Sequence, residues 1–232
     1  MRDGKEFYRG VQAAVPTMMG YASIGFACGV VAANANISAI EILLMSLLVY
    51  AGSAQFVMCA MILAGASLLS IVVTVFFINL RMFLLSLHVT TMFKRNRLGK
   101  NLLIGSFLTD ESYAILLREY MRKPVTSSWM YGNNFASYAT WVICTVLGNV
   151  IGGMISQPEV FGLDFALIAM FVGIFYGQLE MMLHKISLVK VGMIVGTVVV
   201  VYLILSIFIV SYLAVLVATV IGCFVGVVLD EK

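Results

Sequence analysis

The last part of the chain, from Val189 to Leu229, is almost continuously apolar and is softened mainly at Ser211 and Tyr212. A helix that crosses the hydrocarbon core of a bilayer needs about 20 apolar residues, because each residue advances the helix by about 1.5 Å. This stretch is about twice as long as one crossing requires. It therefore predicts two membrane helices that fold back on each other near residues 208–212.

Similar apolar stretches fill most of the remaining chain. Hydrophobic residues make up 62% of the sequence and charged residues only 11%, whereas a soluble domain has about 45–50% apolar and about 25% charged residues. A soluble fold of this length cannot bury so much apolar surface. We therefore predict one all-α transmembrane domain over residues 1–232, a polytopic bundle of about seven helices. The candidate segments are 11–33, 42–64, 67–92, 134–156, 163–183, 187–208 and 209–229. The first exceeds the about 7–15 residues of a signal-peptide core, so we expect it to be retained.

Basic residues constrain the topology. The positive-inside rule favours placing all of them on the cytoplasmic side, but strict alternation of full spans cannot satisfy every group. One or two broken or re-entrant segments resolve the conflict. The best candidates are 42–64 and 102–121, the second being an apolar stretch that is interrupted by acidic and basic residues. The basic groups are Arg2/Lys5/Arg9, Lys94/Arg95/Arg97/Lys100, Arg118/Arg122/Lys123 and Lys185/Lys190.

Glycine spacing indicates close helix packing. In a membrane, G-x-x-x-G lets two helix backbones approach each other, although glycine is also simply frequent in membrane helices. The pattern occurs at Gly25/Gly29, Gly148/Gly152, Gly173/Gly177, Gly192/Gly196 and Gly222/Gly226.

The chain also favours an internal repeat. Residues Tyr21–Gln55 and Tyr138–Gln178 each contain a glycine-rich helix, a short polar turn and an apolar helix. This plan is consistent with half-repeats at about 11–121 and 133–229. Many transporters consist of two such halves with the substrate site between them.

A cluster of small and polar residues, Gly52, Ser53 and Gln55, lies in the middle of segment 42–64. A charge or an unpaired polar group is expensive at membrane depth, about 2.5–3.5 kcal/mol for a charge on insertion scales. Such residues are typical of a broken helix whose freed backbone groups line a cavity. The alternative is a helix contact in which Gln55 bonds to a neighbouring helix.

Two further polar positions, Asn79 and Arg81, lie deep in segment 67–92. Arg81 is about 15 Å along a helix from the basic group at Lys94, too far to reach that end by snorkelling. It therefore needs a partner or a wet cavity. It can hold a substrate carboxylate through two hydrogen bonds, or form a structural ion pair with Asp110 or Glu111.

Asp110 and Glu111 are adjacent acids inside an apolar stretch, and they can carry a proton or receive an ammonium group. Thr109 or Asp110 is a natural N-cap, so the alternative is a solvated helix start. Gln178 is a further candidate, with Glu180 and His184 nearby.

Several functional classes are disfavoured. The sequence has no P-loop, H-E-x-x-H, G-x-S-x-G or paired-cysteine motif, so we expect no enzyme activity, cofactor or metal site. The formal charge of +3 is too small to indicate nucleic-acid binding. The four cysteines, which lie inside apolar runs, are interpreted as packing residues: Cys28, Cys59, Cys144 and Cys223.

Taken together, these motifs resemble those of the AzlC family, the large subunits of bacterial branched-chain amino acid exporters. The resemblance rests on Pro16 before a glycine-rich helix, Tyr50–Phe56 (YAGSAQF), Asn79–Arg81 (NLR) and Thr109–Glu111 (TDE), in an order that fits nearly the whole chain. It implies a multi-pass bacterial inner-membrane protein with a small AzlD-type membrane partner. It also implies proton-driven export of valine, leucine, isoleucine and sometimes methionine.

The residue chemistry suits such a substrate, because a zwitterion needs donors for its carboxylate, acceptors for its ammonium group and an apolar pocket. The alternatives are a non-transporting scaffold subunit and a passive amino-acid channel. The candidate substrate-binding residues are Gly52, Ser53, Gln55, Asn79, Arg81 and Gln178, and the proton-coupling candidates are Asp110 and Glu111.

Overall fold

The computed structural model describes residues 2–154, 186–209 and 211–230, with five isolated positions between 172 and 183. All regular structure in these residues is helical. The chain divides into two compact units, Met1–Ile168 and Ala169–Lys232. The helices are α1 (Arg2–Ala13), α2 (Val15–Asn34), α3 (Ala39–Leu48), α4 (Gly52–Leu63), α5 (Leu68–Met92), α6 (Leu98–Ser106), α7 (Asp110–Tyr120), α8 (Ser127–Gly152), α9 (Leu188–Phe208) and α10 (Ser211–Asp230).

Four helices in the described ranges, α2, α5, α8 and α9, are long and apolar enough to cross a membrane. They match four predicted segments, 11–33, 67–92, 134–156 and 187–208. The chain is therefore an all-helical membrane protein. The predicted total of about seven spans stays a prediction, as does the single domain, and segment 163–183 lies almost entirely outside the described residues.

The central helix of the first unit is α8. It begins after the N-cap Thr126, whose side chain accepts a hydrogen bond from the Trp129 backbone. The predicted segment started at residue 134, but the helix starts earlier, at Ser127, and includes Asn133 and Asn134. Both are buried inside the helix, and their side-chain amides donate to carbonyls of neighbouring segments.

Helix α2 runs parallel to α8, with residue numbers rising together along both helices, and the two backbones touch. A methyl group on Gly29 would lie 2.0 Å from the Thr145 carbonyl oxygen, and one on Gly148 would lie 2.1 Å from the Phe26 carbonyl oxygen. Larger side chains cannot fit there. The first two G-x-x-x-G pairs therefore form one close helix interface, as predicted from glycine spacing.

Segment 42–64 is a hairpin of two short helices, α3 and α4, broken at residues 49–51. Ser38 and Glu41 form a capping box that starts α3. The two arms lie side by side, since the Gln55 side chain donates to the Ser46 hydroxyl at 2.9 Å. At 10 and 12 residues, each arm is about 15–18 Å long and cannot cross a bilayer alone. The hairpin therefore returns to the end from which it entered.

Segment 102–121 is a second hairpin, formed by α6 and α7 and broken at residues 107–109. Two neighbouring residues of α8 form hydrogen bonds to the two helices of this hairpin, one to each helix. Asn134 donates to the Ile104 carbonyl at 3.0 Å, and Asn133 donates to the Ser112 carbonyl at 3.2 Å. Both segments that were predicted to be broken or re-entrant thus leave helical geometry near their middle.

The two hairpins enter from opposite ends of the first unit, which explains the distribution of basic residues. Ser127, at the start of α8, bonds to Asn96 between α5 and α6 at 3.0 Å. Arg9 of α1 pairs with Glu119 at the end of α7, also at 3.0 Å. The first three basic groups therefore share one end, which the positive-inside rule assigns to the cytoplasm. At the opposite end, the Asn149 side chain donates to the Ile37 carbonyl before α3.

The second unit contains the hairpin of α9 and α10, which turns at Ile209, within the predicted 208–212. A methyl group on Gly222 would meet the Val198 side chain at 2.2 Å, and Lys190 donates to the Leu229 carbonyl at 2.6 Å. A methyl group added to Gly192 or Gly196 would meet no other helix within 4 Å. This predicted glycine pair therefore forms no close contact among the described residues. Gly173 and Gly177 lie outside them.

Within the first unit, a long helix followed by a short-helix hairpin occurs twice, as α2 with α3–α4 and as α5 with α6–α7. Because α5 crosses in the opposite direction to α2, the second copy is inverted. The half-repeats predicted at 11–121 and 133–229 stay a prediction, since much of the second half lies outside the described residues.

Candidate functional site

The tips of the two hairpins meet halfway along α8. The Tyr50 and Phe107 rings, one from each tip, pack edge-on against Tyr138 at centroid distances of 4.7 and 4.8 Å. Tyr50 adopts a φ of +40°, which a residue with a side chain rarely adopts. The Tyr138 hydroxyl donates to the Leu47 carbonyl at 3.0 Å, a group that the helix break leaves free. This junction places the start of α4 and the start of α7 close together.

Arg81, near the middle of α5, joins both hairpins. Its Nη2 atom lies 2.9 Å from Oδ2 of Asp110 and donates to the Ser53 hydroxyl at 3.1 Å. The Asp110 side chain is 16% exposed and that of Arg81 36% exposed. The ion pair with Asp110, rather than with Glu111, satisfies the need of Arg81 for a partner at this depth. It also brings together three residues that were predicted separately.

Glu111 has a different environment from its neighbour. Its Oε2 atom accepts a hydrogen bond from the Tyr21 hydroxyl at 2.7 Å, and that hydroxyl lies 2.8 Å from Oγ1 of Thr109. Thr109 is the N-cap of α7 and forms a capping box with Ser112, which confirms one of the two predicted caps. Tyr21 is 6% exposed and packs edge-on against Trp141.

Gln55 belongs to a closed polar network beside the tip. It accepts from Trp141 Nε1 at 2.6 Å and donates to Ser46, which lies 2.8 Å from the Thr145 hydroxyl. Gln55, Ser46 and Thr145 are completely buried. Both ends of the amide are occupied, so Gln55 serves here as a helix contact, the alternative to a cavity-lining role. The Trp141 ring covers Gly52, where an added methyl group would lie 2.8 Å from the ring.

The helix ends add a favourable field for an anion. Helix α4 starts at the site with no side-chain cap, because its N-cap is Ala51. The first backbone N–H groups of a helix lack partners within it and carry partial positive charge. Such an end, next to Arg81, can bind a carboxylate group.

Several buried polar atoms around the site make no hydrogen bond in the described part of the chain: the Tyr50 hydroxyl, Asn79 Oδ1 and Arg81 Nε. An unpaired buried polar group costs about 1–3 kcal/mol. These atoms therefore provide unused donors and acceptors for water or a ligand. Asn79 lies on α5 close to Arg81, as predicted, but no described partner holds its oxygen.

Sequence reasoning missed the polar stripe of α8. Every fourth residue along one face of this helix is buried. The Asn133 and Asn149 amides donate to the Ser112 and Ile37 carbonyls, whereas the hydroxyl groups of the stripe donate to carbonyls of α8 itself. The spacing was readable, since residues four apart share a helix face. The stripe consists of Trp129, Asn133, Ser137, Trp141, Thr145 and Asn149.

Of the other candidates, His88 bonds through Nδ1 to the Tyr113 hydroxyl at 2.7 Å, away from the Arg81–Asp110 pair. Gln178, Glu180 and His184 lie outside the described residues.

Comparisons with known proteins address the identity of this arrangement. The family model described as "AzlC protein" matches residues 16–155, which include both hairpins and every described site residue. The chain belongs to the AzlC family. The resemblance of the sequence motifs to that family is therefore confirmed.

Relatives of this AzlC chain are membrane proteins by name. "Inner membrane protein YgaZ" of Escherichia coli K12 is 31% identical over 82% of this chain and 79% of its own length. An "Uncharacterized membrane protein" of Archaeoglobus fulgidus is 28% identical over 81% of this chain and 89% of its own. "Branched-chain amino acid transport protein AzlC" of Bacillus subtilis 168 is 26% identical over 71% and 64%. No solved structure matches the chain.

Proposed function

We propose that this chain is the transporting subunit of a secondary exporter for branched-chain amino acids, namely valine, leucine, isoleucine and also methionine. It works in a bacterial inner membrane with a small AzlD-type partner and is driven by the proton gradient. Family membership supports this assignment, as do the names of two relatives, a branched-chain amino acid transport protein and an inner membrane protein. The observation that carries it is the meeting of two hairpin tips around an arginine and two acids.

The substrate carboxylate binds at the start of α4. The uncapped backbone N–H groups there lie beside Ser53, which Arg81 contacts. Arg81 uses Nη2 for both of its described contacts, and its Nε makes none in the described residues. The Nε–H group therefore remains available as a further donor to a carboxylate beside Ser53.

The substrate ammonium group and side chain bind opposite the start of α4, at the start of α7 and at the aromatic junction. Asp110 and Glu111 supply carboxylate oxygens at the start of α7. The aromatic junction of Tyr50, Phe107 and Tyr138 supplies apolar surface for a branched side chain. A zwitterion can then lie between the two tips.

The opposed hairpins suit alternating access. Each enters from its own end of the first unit and blocks the site only from that end. Movement of α6–α7 opens the site to the basic end, and movement of α3–α4 opens it to the opposite end. Export requires that the two movements alternate, as in other transporters whose broken helices meet at mid-membrane.

The test measures valine efflux from cells that are loaded with a valine-containing dipeptide. Cells that express the chain with its partner should expel valine faster than cells without the pair, and an uncoupler should remove uphill export. Equal efflux from both kinds of cell contradicts transport. Faster efflux that never runs uphill indicates a passive channel instead.

Arg81→Gln is the decisive variant. It removes the cation that binds the carboxylate and leaves Asp110 uncompensated, so we expect valine efflux to fall by at least about 100-fold. The matched control is Arg9→Gln, which breaks an ion pair of similar length and exposure with Glu119 at the end of the molecule. We expect the control to retain most of the efflux. If both variants transport equally at equal membrane abundance, Arg81 is a structural residue, and the scaffold alternative gains support.

A further inference from the structure

The two adjacent acids at the start of α7 have unequal surroundings. Asp110 lies 2.9 Å from the Arg81 guanidinium group, so its charge is compensated inside the protein. Glu111 has no salt bridge within the described ranges, and its described contact is the neutral Tyr21 hydroxyl. A carboxylate that already has an ion-pair partner is stabilised little by a substrate cation. One without such a partner at this depth is stabilised much more.

The Tyr21 hydroxyl holds the Glu111 side chain at the start of α7. The Ser112 backbone N–H donates to Oγ1 of Thr109 at 3.2 Å. The Tyr21 hydroxyl donates to Oε2 of Glu111 across 2.7 Å and lies 2.8 Å from Oγ1 of Thr109, the N-cap of α7. Tyr21 therefore holds the Glu111 carboxylate in one position beside the N-cap of α7.

A second tyrosine leaves an unused hydrogen-bonding group at the same place. Tyr50 is 7% exposed, and its hydroxyl makes no hydrogen bond among the described residues. It lies close enough to Tyr21 and Glu111 to interact with both electrostatically. The Tyr50 hydroxyl can therefore accept a hydrogen bond from a donor that approaches Glu111.

We propose that Glu111 is the group that binds the substrate ammonium ion and, in its absence, a proton, and that Tyr21 positions it. Asp110 serves as the counter-ion of Arg81. This inference rests on the proposed function and deepens it, because it separates the roles of two acids that the sequence treats alike.

Competition for one carboxylate then couples export to the proton gradient. A protonated Glu111 carries no charge and offers the ammonium group no ionic partner. When the substrate binds, the Glu111 proton leaves and the ammonium group takes its place. After the substrate leaves to the outside, Glu111 takes up a proton there and releases it inside. The charged or titratable groups around Glu111 in the described chain are Tyr21, Tyr50, Asp110 and, through Asp110, Arg81.

The test uses inside-out membrane vesicles that contain the full chain with its partner. Uptake of radioactive valine into these vesicles is measured at several valine concentrations between pH 5.5 and 8.5. Tyr21→Phe keeps the ring against Trp141 and removes only the hydroxyl. A hydrogen bond to a charged group contributes about 1.5–3 kcal/mol, so we expect the KM for valine to rise by at least about tenfold.

The pH dependence of valine uptake shows whether Tyr21 positions Glu111 or only supports the fold. Tyr21→Phe removes the hydrogen bond that holds the Glu111 carboxylate, so we expect the acidic limb of the valine profile to differ from that of the wild type. Glu111→Gln should remove the pH-dependent limb, whereas Asp110→Asn should lower the rate and keep the limb in place. Tyr50→Phe breaks no described hydrogen bond, so it provides a second variant with little risk to folding, and we expect a higher KM.

Tyr113→Phe is the matched control, because it removes a phenolic hydroxyl from the same helix as Glu111, where it bonds to His88 at 2.7 Å. We expect its KM and pH profile to equal those of the wild type. An unchanged KM and limb in both Tyr21→Phe and Tyr50→Phe overturns the inference, as does an unchanged limb in Glu111→Gln. Failure of the proposed function looks different, since wild-type vesicles would then take up no more valine than vesicles without the pair.

A substrate analogue tests the ammonium assignment separately. 2-Hydroxyisovalerate replaces the ammonium group of valine by a hydroxyl. We expect it to compete with valine at least about tenfold more weakly than leucine does in the wild type, because it lacks the ionic partner of Glu111. Equal competition by the analogue and leucine contradicts ammonium recognition by Glu111.

Discussion

The two hairpins of the first unit have similar length and shape but opposite polar chemistry. Hairpin α3–α4 is held by neutral groups, and Gln55, Ser46 and Thr145 satisfy one another and Trp141 without a charge. Hairpin α6–α7 carries two acids at its tip, and the amide groups that hold it leave Asn133 Oδ1 and Asn134 Oδ1 unpaired in the described chain. Hairpin α3–α4 is thus held by a neutral network in which every group has a partner. Hairpin α6–α7 is charged, and the asparagines that bind it each keep an unpaired oxygen.

Packing follows the same division. Two pockets of about 260 and about 320 Å³ flank α6. Space beside a helix allows it to shift without displacing close-packed neighbours. From this comparison we expect α6–α7 to be the more mobile hairpin, while α3–α4 is held more tightly against α8. The lining residues are Phe7, Leu103, Phe107, Tyr131, Asn134 and Phe135 for the smaller pocket, and Met82, Phe83, Ser86, Leu87, Thr90, Leu98, Asn101, Leu102, Gly105 and Ser106 for the larger one.

The largest effect is expected when the closed network is broken. Gln55→Leu keeps the side-chain volume roughly constant but leaves Trp141 Nε1 and the Ser46 hydroxyl with one partner fewer in a buried place. We expect a loss of about 2–4 kcal/mol and a melting temperature about 5–10 °C lower in detergent. Ser53→Ala is the control, since it lies in the same helix and leaves that network intact. A Gln55→Leu protein as stable as the control contradicts the view of a rigid neutral hairpin.

Hydrogen exchange compares the hairpins directly in the unmodified protein. Backbone amides of α6 should exchange at least about tenfold faster than those of α3, equivalent to about 1.4 kcal/mol in local opening free energy. The measurement is exchange mass spectrometry on the purified complex. Equal protection of the two hairpins, or faster exchange in α3, reverses the assignment of the mobile element.

The smallest effect is expected at Asn134, which makes one hydrogen bond to α6 and leaves its own oxygen unpaired. Asn134→Leu breaks the hydrogen bond to the Ile104 carbonyl but also removes the unpaired Asn134 oxygen, so the two changes nearly offset. We expect a change below about 1 kcal/mol, seen as a melting temperature within about 3 °C of the wild type. Tyr138→Phe, which frees the Leu47 carbonyl without removing an unpaired atom, should be the more destabilising. The opposite order indicates that α6–α7 is the better-anchored hairpin.

Much of the first unit was predictable, because polar residues inside long apolar segments are easy to recognise and need a structural reason to be there. Gly52 and Ser53 marked one break and Thr109 the other, since small residues and an N-cap are what a helix end in a membrane requires. Arg81 required a partner for electrostatic reasons, and the sequence restricted that partner to Asp110 or Glu111. Geometry was needed to choose between the two acids.

Other features were not accessible from the residue pattern. The sequence left Gln55 open between a cavity-lining role and a helix contact, because it does not show that Trp141, 86 positions away, is one of its partners. Tyr21 looked like an ordinary aromatic residue at a glycine-rich helix, and its contact with Glu111 spans 90 positions. Long-range pairs of this kind depend on how α2 and α7 pack, and no local periodicity encodes that.

The dependence of both hairpins on α8 has a consequence for biosynthesis. Backbone carbonyls at or near their helix ends, those of Ile37, Leu47, Ile104 and Ser112, all accept hydrogen bonds from side chains of α8. Yet α8 is made last among the helices α1–α8. We infer that while the ribosome is still translating α6 and α7, neither hairpin has a stable place in the lipid. The centre of the first unit is therefore assembled after insertion, once α8 is in place.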